Sequence, residues 1–431
     1  MKEDPRFPRF LMIRQHFPSH RIADIAGAVA STLAQSGMTA KLKPGDEVAI
    51  GVGSRGIANI DVIVGAAVRW WQQQGMRPFL FPAMGSHGAA TAPGQAAVLA
   101  RYGVTEATMG CPVRSSLAVV DIGTSPEGIR VVMDRAAYRA AGVVLCGRVK
   151  PHTDFAGALE SGLFKMMAIG LGKLAGAKRY HDHAYRMGLE AMVRSVGRVV
   201  LASGRILGGL AILEDGNHET AHLEAVPVDN MERREEELLV LAKSWMPRLP
   251  CDLDVLIVNE LGKNFSGSGM DAKVINRGVW GGVNPWPGAP QIGRIYLRGI
   301  SPLSYGNATG MGMADVVHRR LLQGIKRRPT YQNALTSSQP PAIRTPIHFN
   351  NDRECLEAVC STVGRIVPEE LRMGWIANTL DLTRLAASEN LRGEIESRPG
   401  IEIVGEAREL EFDAKGDLVD WLAKPDRPLA L

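Results

Sequence analysis

The stretch "PGDEVAIGVGSRG", from Pro44 to Gly56, decides the fold class. A Pro-Gly turn precedes an apolar run, and the run ends in a glycine-rich loop that carries Ser54 and Arg55. The segment 59–75 follows with apolar residues at helical spacing and ends at a glycine. This order predicts a buried strand, a polar loop and a helix that covers the strand.

Two later stretches repeat the order of apolar strand and polar loop. They are "RPFLFPAMGSHGAAT" at 77–91 and "AGVVLCGRVKPHT" at 141–153. Alternating strands and helices are typical of βαβ units, whose parallel sheet is covered on both faces. The fold class predicted is therefore α/β, with mostly parallel sheets.

The length of 431 residues predicts two domains, since one core rarely grows so large. Pro250 ends a charged helical stretch, and "CDLDVLIVNELG" then restarts the α/β pattern. We assign residues 1–250 to an N-terminal α/β domain and residues 251–431 to a C-terminal α/β domain. The active site is expected in the cleft between them. The last stretch, from about Gly405, is compatible with packing back on the first domain.

Composition excludes several classes of protein. The net charge is +5 and the basic residues are dispersed, so no stripe for nucleic acid is predicted. Five cysteines show neither C-x-x-C nor zinc spacing, which fits a reducing cytoplasm. We find neither a secretory h-region nor an apolar run of about 18 residues, and therefore expect a cytoplasmic protein without a membrane segment.

Three loops that follow predicted strands carry reactive side chains: Ser54-Arg55, Ser86-His87 and Lys150–His152. In open α/β sheets, ligands bind beyond the carboxyl ends of the strands, so these loops are expected to converge. Polar loops occur at this edge of any parallel sheet. An arginine and two histidines, however, are the side chains that a site for an anionic substrate requires.

His87 and His152 are candidate acid/base residues. His87 precedes a predicted helix N-terminus, which favours the neutral imidazole and suits a general base; a turn or capping role is the alternative. His152 follows Pro151 at a strand end. Two histidines on two loops of one sheet edge are able to move protons on opposite faces of one carbon.

Lys165 and His181 belong to the segment "GLFKMMAIGLGKLAGAKRYHDH". Lys165 lies inside an apolar run, where a lysine either extends its amine to solvent or is desolvated for use as a nucleophile. His181 and His183 lie in a predicted helix and diverge by about 200°, so only one of them faces a given site. On its own the H-x-H pattern is a weak metal signal.

Taken together, "GVGSRG", "MGSHG", "KPHTDFAG", "KMMAIG" and "RYH" resemble, in order and spacing, the motifs of the nickel-dependent lactate racemase family and its homologues that act on other 2-hydroxy acids. The resemblance covers most of the chain and is strongest from about Val48 to His183. It implies a nickel-pincer nucleotide, a pyridinium mononucleotide that holds nickel through two sulfurs and a ring carbon. It places the covalent attachment at Lys165 and the fourth nickel ligand at His181.

The same resemblance assigns the acid/base roles to His87 and His152, and cofactor or anion binding to Ser54 and Arg55. It implies an isomerase that inverts C2 of a 2-hydroxy acid by proton-coupled hydride transfer. The partners implied are the small-molecule substrate and the proteins that synthesise the cofactor; the oligomeric state stays open.

The chain departs from the family at the first motif, which reads D-x-T-R there and has Val52 in place of the aspartate here. The stretch from His152 to Lys165 is also a few residues longer than in the lactate enzymes. Lys173 is therefore an alternative attachment site.

In the second domain Asp271 is retained, but Asn276 and Arg277 stand near positions where lactate racemases have other residues. We expect substrate contacts from Arg55, Lys263, Asn276 and Arg277. Of these, Lys263, Asn276 and Arg277 suit a larger, more polar acid such as a sugar acid better than lactate.

Three other functions compete with the isomerase. A hydroxy-acid dehydrogenase uses the same cofactor, and a paralogue binds a cofactor or anion without racemase activity. A zinc hydrolase with His87, His152 and His181 ranks last, because no carboxylate ligand of suitable spacing accompanies them.

Overall fold

The computed structural model describes residues 7–53, 56–153, 155–365 and 367–423. The chain forms two compact units. The first is Pro18–Met246, and the second combines residues 7–17 with residues 247–423. The sequence assigned residues 7–17 to the first domain, and the difference arises from strand pairing described below.

In the described part of the chain, the strands are β1 (Phe10–Gln15), β2 (Glu47–Val52), β3 (Arg77–Pro82), β4 (Val119–Thr124), β5 (Arg130–Asp134), β6 (Gly142–Arg148), β7 (Ile206–Glu214), β8 (Thr220–Pro227), β9 (Leu253–Leu261), β10 (Ile292–Ile300), β11 (Val316–His318), β12 (Ile347–Phe349), β13 (Met373–Ile376), β14 (Arg384–Ser388) and β15 (Ile401–Arg408).

The α-helices in the same residues are α1 (Ile25–Gln35), α2 (Ile60–Gln73), α3 (Ala92–Arg101), α4 (Glu106–Met109), α5 (Arg135–Arg139), α6 (Leu163–Lys165), α7 (Leu171–Met187), α8 (Leu189–Ala202), α9 (Met231–Ser244), α10 (Arg319–Gln323), α11 (Arg327–Thr336), α12 (Asp352–Cys360) and α13 (Arg392–Glu396). A π-helical turn, Met166–Gly170, joins α6 to α7.

The first unit is built on a sheet of order β3-β2-β6-β7-β8, in which only β8 is antiparallel to its neighbour. Successive residues of β2 point to opposite faces. Val48 and Ile50 pack in one hydrophobic core with α2, and Ala49 packs in a second core with Leu163 and Val196. The sheet is therefore covered on both faces, as the continuous apolar strands predict.

The second unit has a sheet of order β12-β11-β10-β9-β13-β14-β1-β15. The strands from β12 to β13 are parallel, and β14, β1 and β15 pair antiparallel. Because β1 lies between β14 and β15, residues 7–17 belong to this unit. β15 includes Gly405 and is held by β1 inside the same sheet. The prediction of an α/β fold with mostly parallel sheets is confirmed.

A buried ionic network lies inside the second unit. The fully buried carboxylate of Asp352 accepts hydrogen bonds from Arg298 at 2.7 and 3.1 Å, from Arg320 at 2.7 and 2.8 Å, and from the hydroxyl of Tyr296. Burial opposes the charged form of Asp352, but the contacts with Arg298 outweigh it and lower the pKa of Asp352.

His318 is buried beside this network. Its Nδ1 accepts the backbone N–H of Arg320 at 2.9 Å, so Nε2 carries the proton and donates to Asp417 at 2.9 Å.

Among the described residues, the helices include none that is long and apolar enough to cross a membrane.

Candidate active site

The carboxyl ends of β2, β3, β6 and β7 meet at one edge of the first sheet, since these strands are parallel. The loops with His87 and His152 leave this edge after β3 and β6, which flank β2 on either side. The ends of β3 and β6 are separated by two strand spacings and therefore lie roughly 10 Å apart. Ser54 and Arg55, in the loop after β2, lie outside the described residues. Their predicted roles stay predictions.

His87 is half-buried in the loop after β3. Gly88, Ala89 and Ala90 follow with φ of 60°, 54° and 57°, a left-handed turn that strains the two alanines. Helix α3 begins only after this turn, and Thr91 caps it through the Gly94 N–H. The sequence placed His87 directly before a helix; it precedes this strained turn instead, so an effect of the helix dipole on His87 is not supported.

Two buried side chains hold the backbone that leads to His87. The amine of Lys173 donates to Pro82 O at 2.8 Å and to Gln95 Oε1 at 2.7 Å. Gln95 Nε2 donates in turn to Met84 O at 3.2 Å and to Gly85 O at 2.9 Å. Both side chains are fully buried. Burial lowers the pKa of Lys173 to about 8, although Asp134 opposes this from 3.9 Å.

His152 is buried in the loop after β6. Its ring packs against that of Phe155, with 4.6 Å between the ring centroids. The loop is closed at its base by paired backbone hydrogen bonds between Lys150 and Ser161. The N–H of His152 donates to the carboxylate of Glu160 at 2.5 Å. The backbone of His152 is thus fixed by a buried acceptor.

Glu160 is a central contact of this loop. It also accepts the Gly157 N–H at 3.1 Å and pairs with the amine of Lys243 at 2.6 Å. Lys243, from α9, donates as well to Gly157 O at 2.8 Å. One helix of the first unit therefore secures the loop of His152 through a buried carboxylate.

Lys165 ends the short helix α6 and is half-buried. The same helix α9 secures its segment, because the carboxylate of Glu235 accepts the Phe164 N–H at 2.9 Å. A carboxylate at a helix N-terminus is favourable. Burial nevertheless raises the pKa of Glu235 to about 7, and the N–H groups of Phe164 and Leu163 only partly offset this.

Close packing brings the segment after Lys165 against the loop of His87. A Cβ on Gly85 would lie 3.0 Å from Ile169 and 3.1 Å from Ala177, so these two side chains press on the loop two residues before His87. Ile169 lies one turn beyond Lys165, and Ala177 lies one turn before His181. Contacts on both sides of Lys173 therefore place this segment against the loop of His87.

His181 and His183 both lie in α7 and are half-buried. The predicted helix is confirmed, so the two side chains diverge. In the described residues, the groups of three or more His, Cys, Asp or Glu with ligand atoms within 4.8 Å of one another are limited to His318, Asp352 and Asp417. His181 does not belong to this group.

The predicted substrate residues of the second unit are engaged in local contacts. Asn276 is 1% exposed, and its amide binds the backbone of Trp286 and Pro290. Arg277 is 4% exposed and donates to Ile292 O at 3.3 Å. The amine of Lys263 donates to Gly267 O. Substrate contact by these residues stays a prediction, and the burial of Asn276 and Arg277 indicates that both anchor a loop.

Sequence reasoning missed Glu160, Glu235 and Gln95. It considered Lys173 only as an alternative attachment site. Gln95 and Glu235 lie within otherwise ordinary helix patterns, and their partners Lys173 and Phe164 are distant in the chain. The sequence offers one weak indication of Glu235, the glycine at position 162 before α6. In the structure, a side chain at this position would collide with Glu235.

Comparisons with known proteins complete these observations. Neither protein-family models nor curated proteins matched the sequence. Among solved structures, the chain is similar to the lactate racemase apoprotein from Thermoanaerobacterium thermosaccharolyticum, with a TM-score of 0.47 and 13% sequence identity; the match covers 81% of this chain and 91% of that chain.

Proposed function

We propose that the chain is a racemase or epimerase that inverts C2 of a 2-hydroxy acid, with a nickel-pincer nucleotide attached to Lys165. One observation carries the proposal: the loops of His87 and His152 leave the same edge of one parallel sheet, and the segment from Lys165 to His181 packs on one of these loops. The motif order of the sequence supports the same assignment.

The described residues fit this cofactor. Lys165 is half-buried, whereas the amine of Lys173, the alternative attachment site, is enclosed by Pro82 O and Gln95. Lys165 would therefore carry the nucleotide, and His181 would bind the nickel through an imidazole nitrogen, a donor that suits Ni(II). When bound, the cofactor supplies the hydride acceptor and donor for C2.

The two histidines handle the protons. One imidazole accepts the proton of the C2 hydroxyl, and the other returns a proton to the oxygen from the opposite face. Strand ends roughly 10 Å apart leave room for a small acid between the two side chains. The bond of His152 N–H to Glu160 and the Gln95 contacts of the His87 loop fix both backbones for this task.

The substrate class proposed is a 2-hydroxy acid, with Ser54 and Arg55 as the anion and cofactor contacts after β2. A guanidinium binds a carboxylate through two parallel hydrogen bonds. The preference for a sugar acid depended on Lys263, Asn276 and Arg277, and the burial of Asn276 and Arg277 gives it no support. Lactate and sugar acids therefore both belong in a substrate screen.

The first experiment tests cofactor attachment. The protein is co-expressed with the proteins that synthesise the pincer cofactor and analysed by peptide mass spectrometry and nickel analysis. We expect a cofactor-sized adduct on the Lys165 peptide, lost in Lys165→Ala and retained in Lys178→Ala, an exposed lysine of α7. An adduct on the Lys173 peptide, or neither adduct nor nickel while a control racemase is loaded, would contradict the assignment.

The second experiment tests the reaction on loaded protein. Single enantiomers of lactate and of sugar acids are incubated with the enzyme, and the C2 configuration is followed by chiral chromatography. Inversion without net formation of 2-keto acid supports the isomerase. Accumulated 2-keto acid indicates a dehydrogenase, and binding without either product indicates a paralogue that lacks the chemistry.

A further inference from the structure

We propose that Lys173 is a positioning residue that, together with Gln95, fixes the backbone leading to His87 and joins it to the segment of Lys165 and His181. The catalytic role of His87 rests on the proposed function. The hold on its loop rests on the contacts of the described residues alone.

These contacts form a short chain of hydrogen bonds. Lys173 Nζ binds Pro82 O at 2.8 Å and Gln95 Oε1 at 2.7 Å. A lysine has only donors, so it fixes which end of the Gln95 amide faces it. The Nε2 end is consequently directed to Met84 O and Gly85 O. Three carbonyl oxygens within four residues are thereby bound from the side, just before His87.

The arrangement is costly, which distinguishes it from ordinary core packing. The amine of Lys173 is removed from water, and its partner carboxylate, Asp134, is 3.9 Å away. Lys173 also has φ of 54° and ψ of −157° within α7, a conformation that favours glycine. Strained non-glycine residues persist where the surrounding structure dictates them and cluster at functional sites.

The location of Lys173 explains what it connects. Lys165 and His181 lie eight residues before and after it, and the break at Lys173 redirects the chain between them. Lys165 has a separate anchor, because Glu235 binds the start of α6. Loss of Lys173 should therefore release the loop of His87 while the start of α6 stays held.

Hydrogen exchange measured by mass spectrometry on the cofactor-free protein tests this directly. Lys173→Met and Gln95→Leu are compared with Lys178→Met, a matched exposed lysine of the same helix. We expect amide exchange in peptide 83–91 to rise at least tenfold in the first two variants. Peptides 163–171 and 253–261 should be unchanged, and Lys178→Met should match the wild type everywhere.

A second readout reports on the imidazole. The rate at which diethyl pyrocarbonate modifies His87 is measured by peptide mass spectrometry between pH 6 and 8. We expect Lys173→Met and Gln95→Leu to shift this pH profile, and the double variant to shift it no further than Lys173→Met alone, since both residues act as one unit.

The outcomes are distinct. Uniformly faster exchange across all peptides would show that Lys173 contributes only to general stability. An unchanged exchange rate in peptide 83–91 would show that Lys173 does not hold the loop. Either result overturns the inference. If Lys173→Met does not fold, Gln95→Leu tests the same contacts. Since both readouts need no turnover, they are independent of the proposed function: a local effect, together with a nickel-loaded wild type that shows no isomerase activity, would refute the proposed function and leave the positioning intact.

Discussion

The backbone N–H of Phe164 donates a 2.9 Å hydrogen bond to the buried carboxylate of Glu235, immediately before Lys165. The carboxylate reaches this position because residue 162 is glycine. A titratable group thus holds the start of the segment on which the proposed cofactor chemistry depends. Its protonation should be visible in the stability of the protein.

Glu235→Gln should change how stability depends on pH. Burial raises the pKa of Glu235 from 4.5 to about 7. The folded state therefore binds the proton more tightly, and this contribution is complete below pH 4.5 and lost as the pH rises through 7. Relative to Glu235→Gln, the wild type should lose about 3 kcal/mol of unfolding free energy between these values, as 1.36 kcal/mol per pKa unit implies.

Urea denaturation at a series of pH values between 4.5 and 8 measures this difference. Glu237→Gln, an exposed position on the same helix, is the control and should show no such trend. A difference between wild type and Glu235→Gln that stays constant over this range would contradict the prediction.

Glu160→Ala should loosen the loop of His152. The change removes the acceptor of the His152 and Gly157 N–H groups and the partner of Lys243. Leaving two backbone donors without an acceptor should cost about 2–4 kcal/mol of unfolding free energy. Denaturation in urea checks the total. Lys243→Ala in the Glu160→Ala background should cost less than in the wild type, and full additivity would argue against a shared network.

His87→Asn and His152→Asn should each slow C2 inversion in the loaded enzyme by roughly 10²- to 10⁴-fold, the range for loss of a general acid/base. Nickel content and the Lys165 adduct should be unchanged, since neither residue is assigned to cofactor binding. Chiral chromatography of both substrate enantiomers provides the rate. His183→Asn, on the same helix as His181, is the control; a comparable loss there would remove the assignment of two specific histidines.

Asp352→Asn should destabilise the second unit strongly. The substitution leaves the buried guanidinium of Arg298 without its carboxylate, which should cost about 3–5 kcal/mol. Because the folded pKa of Asp352 is lowered, its contribution is present above the ordinary pKa of 3.8 and is lost as the pH falls further. Denaturation of Asp352→Asn and of Glu357→Gln, on the same helix, at pH 7 measures the effect; equal stabilities would contradict it.

The sequence predicted those parts of the fold that local patterns encode. Apolar runs followed by polar loops identified β2, β3 and β6, and parallel pairing then brings their carboxyl ends to one edge. The helix around His181 followed from its apolar spacing. These features depend on residues close in the chain, so one sequence is sufficient to find them.

The contacts that hold the site in place instead join residues that are distant in the sequence. Glu235 meets Phe164 across 71 positions, and Lys173 meets Gln95 across 78. Neither pairing leaves a local pattern, because a single polar residue in an amphipathic helix usually faces water. Asn276 illustrates the converse: a polar residue interpreted from the sequence as a substrate contact also binds the backbone of its own loop.

The position of β1 between β14 and β15 also determines the order in which the chain is able to fold during synthesis. The ribosome makes β1 before the whole first unit and its two partners long after it. The first unit is synthesised as one continuous segment and is free to fold while translation continues. The backbone and apolar side chains of the nascent β1 therefore stay unpaired, and prone to aggregation, until β14 and β15 have been synthesised.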